Sequence, residues 1–410
     1  MFLVKRDNFN KNYIIKGLIT SIFLSAFIYL SYFDIQYRLL NTILGLAAFY
    51  MLINISRKSL FVTGFTSGIL WCYWMAISLK YYELIYLTPV LLVGIGLAYG
   101  IIFLLFAAYD KKIFRVVAIF AFTFIAPFGF NWMKFELLFI DSYFGTSKED
   151  FALILVALYM ISKLRRMKVL AFFPLLMAYE STTGIYIDNP NAKITMPKFN
   201  VKQNLKWEKD YQLTLLQKNF KSIDNAILEN KDLVVLPETA FPSILNNNKN
   251  LLDMLKNKSY EINILTGGLY LENEQIFNAT YFFSNGEVEI AKKVVLVPFG
   301  EAIPLPKVFV DLINDIFYNG AKDYSAAKKP TDFEIQGNKF RNAICYEATT
   351  DKIYENLNGV KYIIATSNNA WFTPSIEPTL QKLLLRYYSK KYDVTIYHSI
   401  NGSKNYIIRP

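Results

Sequence analysis

The chain's 410 residues are enough for two domains of ordinary size, and 53% are hydrophobic, concentrated before Glu180, which excludes a single soluble domain. Its 44 Lys and Arg against 33 Asp and Glu give a net charge of +11, but many of the basic residues fall in short loops between apolar runs rather than on one continuous surface, which argues against a nucleic-acid partner. The only histidine is His398, so a histidine-rich metal site is excluded and any Ser/His/Asp or Cys/His chemistry would depend on that one ring.

The apolar runs predict membrane spans near residues 13–32, 38–55, 59–79, 84–108, 113–130, 150–162 and 168–180, the last two short. The first has the basic start and apolar middle of a signal peptide, but no small-residue cleavage site follows, so it reads as a permanent helix. Lys5, Arg6, Lys11 and Lys16 share a side with Arg57 and Lys58, with Lys111, Lys112 and Arg115, and with Lys163, Arg165, Arg166 and Lys168. The opposite loops hold chiefly Arg38, Lys80, Lys134 and Lys148. Positive charge on the cytoplasmic side places the N-terminus inside, and an odd number of spans delivers everything after about Ser181 to the outer face. Gly94, Gly96 and Gly100 mimic a dinucleotide fingerprint, but they lie inside an apolar span, where close helix packing explains them.

Residues 1–182 therefore form a helical membrane domain, and residues 193–410 a layered α/β domain. In the latter, a helix is predicted in DYQLTLLQKNFKSIDNAILEN, with Leu216, Phe220, Ile223 and Ile227 at helical spacing on its buried face. Strands follow in DLVVLPE and EINILTGGLY, and Asn285-Gly286 predicts a tight hairpin turn in ATYFFSNGEVEIAKKVVLV. Further strands are expected in FRNAICYE and KYIIATSNN, and helices in LPKVFVDLINDIF and PTLQKLLLRYYSKKY.

Cys72 lies in a proposed span, which leaves Cys345 as the outer domain's one thiol, with no disulfide partner in sight. Taken singly, Cys345 reads as a small core residue, Glu238 as a solvated loop carboxylate and Lys293 as an exposed strand lysine. Together they read differently. A thiol of ordinary pKa, about 8.5, needs a base at neutral pH, which Glu238 can supply; Lys293 can stabilise the oxyanion formed when the thiolate attacks an acyl carbonyl.

At these residues the chain resembles the carbon-nitrogen hydrolase, or nitrilase, superfamily, with Glu238 in LPETAFP, Lys293 in KKVVLVPFGEAIP and Cys345 in AICYE. Within it the chain is similar to the apolipoprotein N-acyltransferase family, on VKQNLKW, GFTSGILWCYWMAISL, NWMKFELLF and SNNAWF as well. The resemblance implies an αββα sandwich behind the membrane helices, facing the periplasm of a bacterial inner membrane. It implies no cofactor and no metal. Cys345 would take a fatty acyl group from a phospholipid, phosphatidylethanolamine by the family's habit, and pass it to the α-amine of a diacylglyceryl-cysteine apolipoprotein. Glu238 would be the base, Lys293 the oxyanion partner and Glu301 their support. Trp207, Tyr346 and Glu347 match further family positions, although Trp207 also reads as an interface anchor.

A thioester exposed to water would hydrolyse, so a mobile apolar loop is expected over Cys345, within Phe309–Tyr324 and carrying Ile313, Ile316 and Phe317. Leu236 and Asn369 depart from the family's usual tryptophan and aspartate. The chain stops at Pro410, soon after Asn401-Gly402, where the family continues through further strands and a final membrane helix. Two other functions fit the composition. One is a membrane-anchored amidase or nitrilase with water as acceptor; the other is a sensor or transporter using the fold only to bind.

Overall fold

The first four apolar runs become α1 (Lys11–Tyr32), α2 (Arg38–Asn54), α3 (Arg57–Cys72, continued as a 3-10 helix over Tyr73–Tyr82) and α4 (Thr88–Leu105). The structure is a computed structural model, and it describes residues 11–164, 168–180, 189–303, 310 and 323–410. By length and composition Asn12–Tyr32, Arg57–Tyr82 and Ile85–Leu105 can cross a membrane, and Arg38–Asn54 is a shorter apolar helix. Of the later helices, that over Lys148–Lys163 covers its expected run and the other two are shorter than expected. α5 (Lys112–Phe122) tightens into three-residue turns through Ile125 and stops short of residue 130, with Pro127 disfavouring helical geometry at Ala126. α6 (Lys148–Lys163) begins at a capping box between Ser147 and Asp150. Of the expected 168–180 run, α7 (Phe172–Met177) keeps six residues after a 3-10 turn over Lys168–Ala171.

The chain divides into two compact units, Met1–Ala126 with Met133–Thr183, and Pro127–Trp132 with Gly184–Pro410. This differs from a single boundary near residue 182 in one respect: six residues between α5 and α6 group with the later unit.

In the first unit, small residues let helices approach and polar side chains join them. A Cβ on Gly64 would come 2.3 Å from Tyr99 O, and one on Gly68 2.8 Å from the Tyr99 ring. Gly96 and Gly100 meet the rings of Phe65 and Phe61 in the same way, whereas Gly94 faces open space. Packing thus accounts for two of the three span glycines. Between α1 and α3, Ser67 Oγ donates to Ser21 Oγ (3.1 Å) and Trp71 Nε1 to Ser25 Oγ (3.1 Å). Buried Arg115 donates to the carbonyls of Ile53 (3.0 Å) and Ile55 (2.6 Å), satisfying groups that α2 leaves unpaired at its end.

The second unit contains two five-stranded sheets. One runs β1 (Ile194–Thr195), β2 (Leu233–Val235), β3 (Asn263–Glu272), β4 (Gln275–Ser284) and β5 (Glu287–Lys292) in that spatial order. The other, in spatial order, is β10 (Tyr406–Ile408), β9 (Thr395–Asn401), β8 (Tyr362–Asn368), β7 (Asn338–Ile344) and β6 (Asp332–Ile335). The two-residue period of a strand sorts the side chains into two cores. Leu233, Val235, Leu265 and Phe282 point toward Phe333, Phe340, Ile364 and Tyr397 of the other sheet. Val234, Leu236, Ile264, Tyr281 and Phe283 point away, against α9 (Lys209–Leu228) and α10 (Lys249–Lys258). α11 (Glu377–Tyr392) packs on β9 and on the turn after β7, completing the expected αββα layering.

On α9 the most buried residues are Leu215, Asn219, Ile223 and Ala226, with Leu216, Phe220 and Ile227 partly buried beside them. The buried stripe is therefore centred about one residue from the predicted one. Asn285 (φ +49°) and Gly286 (φ +81°) form the hairpin turn between β4 and β5 as the dipeptide predicts. The helix proposed in LPKVFVDLINDIF lies outside the described residues.

Candidate active site

Strand β7 ends at Ile344, and at Cys345 the backbone takes a φ of +54°, turning sharply into a 3-10 helix over Cys345–Thr349. This left-handed conformation costs a residue with a side chain roughly 1–3 kcal/mol and persists only where its surroundings enforce it. Glu347 does so. Its buried carboxylate accepts from Ile344 N (2.8 Å), Val294 N (2.6 Å) and Val295 N (3.0 Å), stitching the turn to the segment after β5. Burial pushes the Glu347 carboxyl up to about 7, against the opposing pull of Lys293 and those three N–H groups. Between Phe340 and Thr350 only Cys345 keeps partial exposure.

Lys293 follows β5 directly. Its N–H donates to Asn278 O (2.9 Å) and its carbonyl accepts from Ala327 N (2.8 Å), which fixes the backbone. The side chain is 0% exposed, and Nζ donates to Glu301 Oε1 at 2.9 Å with Oε2 at 2.8 Å. Burial alone would lower the lysine pKa, but Glu301, then Glu238, Cys345 and Glu347 outweigh it and hold the group above the ordinary lysine range. Lys293 is thus a permanent ammonium. Glu301 Oε2 is in turn held by Val297 N (2.9 Å).

Glu238 lies just past the end of β2, before a left-handed turn at Thr239 (φ +50°). The turn can lie on β3 because residue 267 is glycine: a Cβ there would come 2.3 Å from Thr239 N and 2.8 Å from Glu238 Cα. Asn278 Nδ2 on β4 bridges Glu238 Oε1 (2.8 Å) and Glu301 Oε1 (2.9 Å). Lys206, also buried, donates from Nζ to Glu238 O (3.0 Å). Its burial pulls its pKa down to about 8, with Glu238 opposing.

These groups share one electrostatic field. Burial pushes the Cys345 thiol well above its ordinary range, Glu238 pushes further, and Lys293 opposes both. The resting group is therefore a thiol, and it becomes a nucleophile only if a base takes its proton. A carboxylate, a fixed ammonium and a thiol acting on one another have the parts for attack on an acyl carbonyl.

Of the other expected residues, Tyr346 is buried against Phe130 and Trp132, with ring centroids 5.8 Å and 6.2 Å away. Trp207 is 44% exposed at the end of a short helix, α8 in the sequence (Gln203–Lys206), and the residue bonded to Glu238 is its neighbour Lys206. His398 sits on β9 with Nε2 2.8 Å from Ser367 Oγ, and burial lowers its pKa to about 3, leaving a neutral ring in the sheet. Asn369 Nδ2 donates to Gln381 Oε1 (3.0 Å), and Leu236 fills the core beneath α9 and α10. Of the expected covering loop, only Val310, Asp323 and Tyr324 fall within the described residues.

Sequence reasoning passed over four contributors. Asn278 and Lys206 are ordinary-looking residues on remote segments, and Gly267 gave its signal only as a paired glycine inside a strand. The fourth is Glu377, the first residue of α11, which is 1% exposed with Oε2 lacking a hydrogen-bond partner among the described residues. Burial, then Glu238, raises its carboxyl pKa well above the ordinary carboxylate range.

Residues 11–181 match the integral membrane domain of apolipoprotein N-acyltransferase. The chain is 42% identical to apolipoprotein N-acyltransferase of Wolinella succinogenes over 96% of its own length and 95% of that protein's. It is 35% identical to the enzyme of the same name from Campylobacter jejuni over 100% of its length and 93% of that protein's. Among solved structures, it overlaps Saccharomyces cerevisiae Nit3, a nitrilase-superfamily member, with a TM-score of 0.38 and 17% identity over 52% of this chain and 78% of that one. On the near-full-length identity to its curated relatives, the chain belongs to the apolipoprotein N-acyltransferase family.

Proposed function

We propose that this protein transfers a fatty acyl group from a phospholipid, through a thioester on Cys345, to the N-terminal amine of a diacylglyceryl-cysteine apolipoprotein. The observation that carries the chemical part is the hydrogen-bonded chain Lys293–Glu301–Asn278–Glu238, tied to the Cys345 turn where Glu347 accepts from Val294 N, Val295 N and Ile344 N. In the first half, Glu238 takes the thiol proton and the sulfur attacks the ester carbonyl. The C–O bond breaks as the tetrahedral oxyanion, stabilised by the Lys293 ammonium, collapses, and the departing lysophospholipid alkoxide receives the proton from Glu238. In the second half the neutral amine attacks the thioester, Glu238 takes its proton, the C–S bond breaks, and the sulfur leaves as a thiolate that regains the proton.

Glu301 supports this reading by holding the Lys293 ammonium and, through Asn278, sharing a donor with Glu238. Tyr346 and Glu347 serve as positioning residues, and Trp207 remains a substrate-side candidate through its exposure. Phosphatidylethanolamine is the proposed donor. Both substrates carry acyl chains whose exposure to water costs about 0.8 kcal/mol per methylene, so the chemistry belongs at a bilayer surface. The one-sided grouping of Arg57, Lys58, Lys111, Lys112 and Arg115 supports a cytoplasmic N-terminus and a periplasmic second unit in the bacterial inner membrane.

The test is incubation of purified protein with labelled phosphatidylethanolamine and a diacylated lipopeptide. Label on the peptide amine, lost with Cys345→Ala, is the expected result. Hydrolysis of small amides with no acyl transfer would instead establish water as the acceptor and overturn the proposal.

A further inference from the structure

Residues Pro127–Trp132 lie between α5 and α6 in the chain, yet they group with the second unit. The reason is a dense set of contacts to the two residues that shape the nucleophile's turn. The Tyr346 hydroxyl donates to Gly129 O (2.8 Å), with Asn131 Oδ1 3.2 Å away. Asn131 Nδ2 donates to Thr349 O (3.0 Å), and Trp132 Nε1 to Thr349 Oγ1 (2.7 Å). That hydroxyl passes its own hydrogen to Tyr346 O (2.7 Å). The Phe130 ring lies nearly parallel to that of Tyr346, with 10° between their planes.

Cys345 and Thr349 are the first and last residues of one 3-10 turn, and the strained φ at Cys345 needs restraint from both sides. Glu347 holds it toward Lys293. The 127–132 strap holds the opposite side, through the ring and hydroxyl of Tyr346 and both ends of Thr349. We infer that Asn131 and Trp132 are positioning residues for Cys345, locking the turn so that the sulfur meets Glu238 and Lys293 in attacking geometry. A misplacement of the order of 1 Å at a reacting atom can cost on the order of 100-fold in rate, so loosening this grip reaches the chemistry without any strap residue touching substrate.

The inference rests on the proposed acyl transfer, and its test separates the two. Full-length wild type, Trp132→Phe and Asn131→Ala are purified in detergent. Three quantities are compared: the rate of acyl-thioester formation with phosphatidylethanolamine, the pH midpoint for alkylation of Cys345 by iodoacetamide, and the melting temperature. The thiol's midpoint reports its placement among Glu238, Lys293, Glu377 and Glu301, the groups that act on its charge. The expected result is acylation slower by on the order of 10-fold to 100-fold per folded molecule, and a midpoint moved by about half a unit or more. Trp132→Phe keeps an aromatic ring while removing the N–H donor and part of the buried indole, so it carries the test if Asn131→Ala does not fold. Wild-type acylation rate and midpoint in a folded variant, with only the melting temperature lowered, would overturn the inference. If the wild type itself takes no acyl group, the proposed function falls, and the strap is judged on the alkylation midpoint: moved upholds it, unmoved overturns it.

Discussion

The two units hold buried polar groups for different ends. In the membrane unit several of them join one helix to another: Ser21 with Ser67, Ser25 with Trp71, and Arg115 with the last carbonyls of α2, while buried Glu136 pairs with Lys148. In the catalytic unit one connected group of them converges on a single point. Lys293, Glu301, Glu238, Asn278, Glu347 and Lys206 are linked by hydrogen bonds to one another or to the backbone flanking Cys345. The serine bonds between α1 and α3 ask only that backbones approach closely, which small residues achieve. The group around Cys345 fixes charges relative to a thiol, and each partner is as specific as the thiol itself.

That contrast predicts where activity and stability part. Glu347→Gln replaces the carboxylate that gathers three N–H donors around the Cys345 turn. Acyl-thioester formation should fall on the order of 100-fold, read by single-turnover intact mass. An unchanged rate would mean that the turn is held without it.

Lys206 sharpens the comparison through pH. Its pKa is about 8 in the fold against 10.5 in an unperturbed lysine, so between those values the unfolded chain binds more protons, and stability rises with pH across that window. The shift corresponds to roughly 3 kcal/mol between pH 8 and pH 10.5. Lys206→Met should abolish that part of the rise in melting temperature. A variant whose pH dependence matches wild type would show that the ammonium is not held as described.

In the membrane unit, Gly64→Leu forces a side chain against Tyr99 and Phe103 and should cost about 1–3 kcal/mol of stability, with the Cys345 acylation rate per folded molecule unaltered. Loss of rate beyond loss of folded protein would erase the distinction between the units. Smallest of all, Ser25→Ala removes the acceptor of Trp71 Nε1 and should cost about 0.6 kcal/mol, a shift of few degrees in melting with no change in rate.

Much of the catalytic unit was legible because its motif residues stand at strand ends: Glu238 past β2 after the apolar run LVVLP, Lys293 past β5 after a strand announced by the Asn285-Gly286 turn, and Cys345 past β7. Their supporters were not legible for a physical reason. Asn278 reaches Glu238 from 40 residues away, and Asn131 reaches Thr349 from 218 residues away, so no local pattern connects them. Glu377 and Lys206 look like surface charges in sequence, and only the packing around them shows that they are buried. In the membrane unit, hydropathy located the helices but overran α5, because it counts apolar residues and does not register that Pro127 ends helical geometry.

The most direct measurement is the intact mass of the full-length protein after incubation with phosphatidylethanolamine alone, with no acceptor present. The account predicts one added acyl group, removed by hydroxylamine and absent from Cys345→Ala, Glu238→Gln and Lys293→Met. No adduct on the wild type, or an adduct that survives Cys345→Ala, would contradict it.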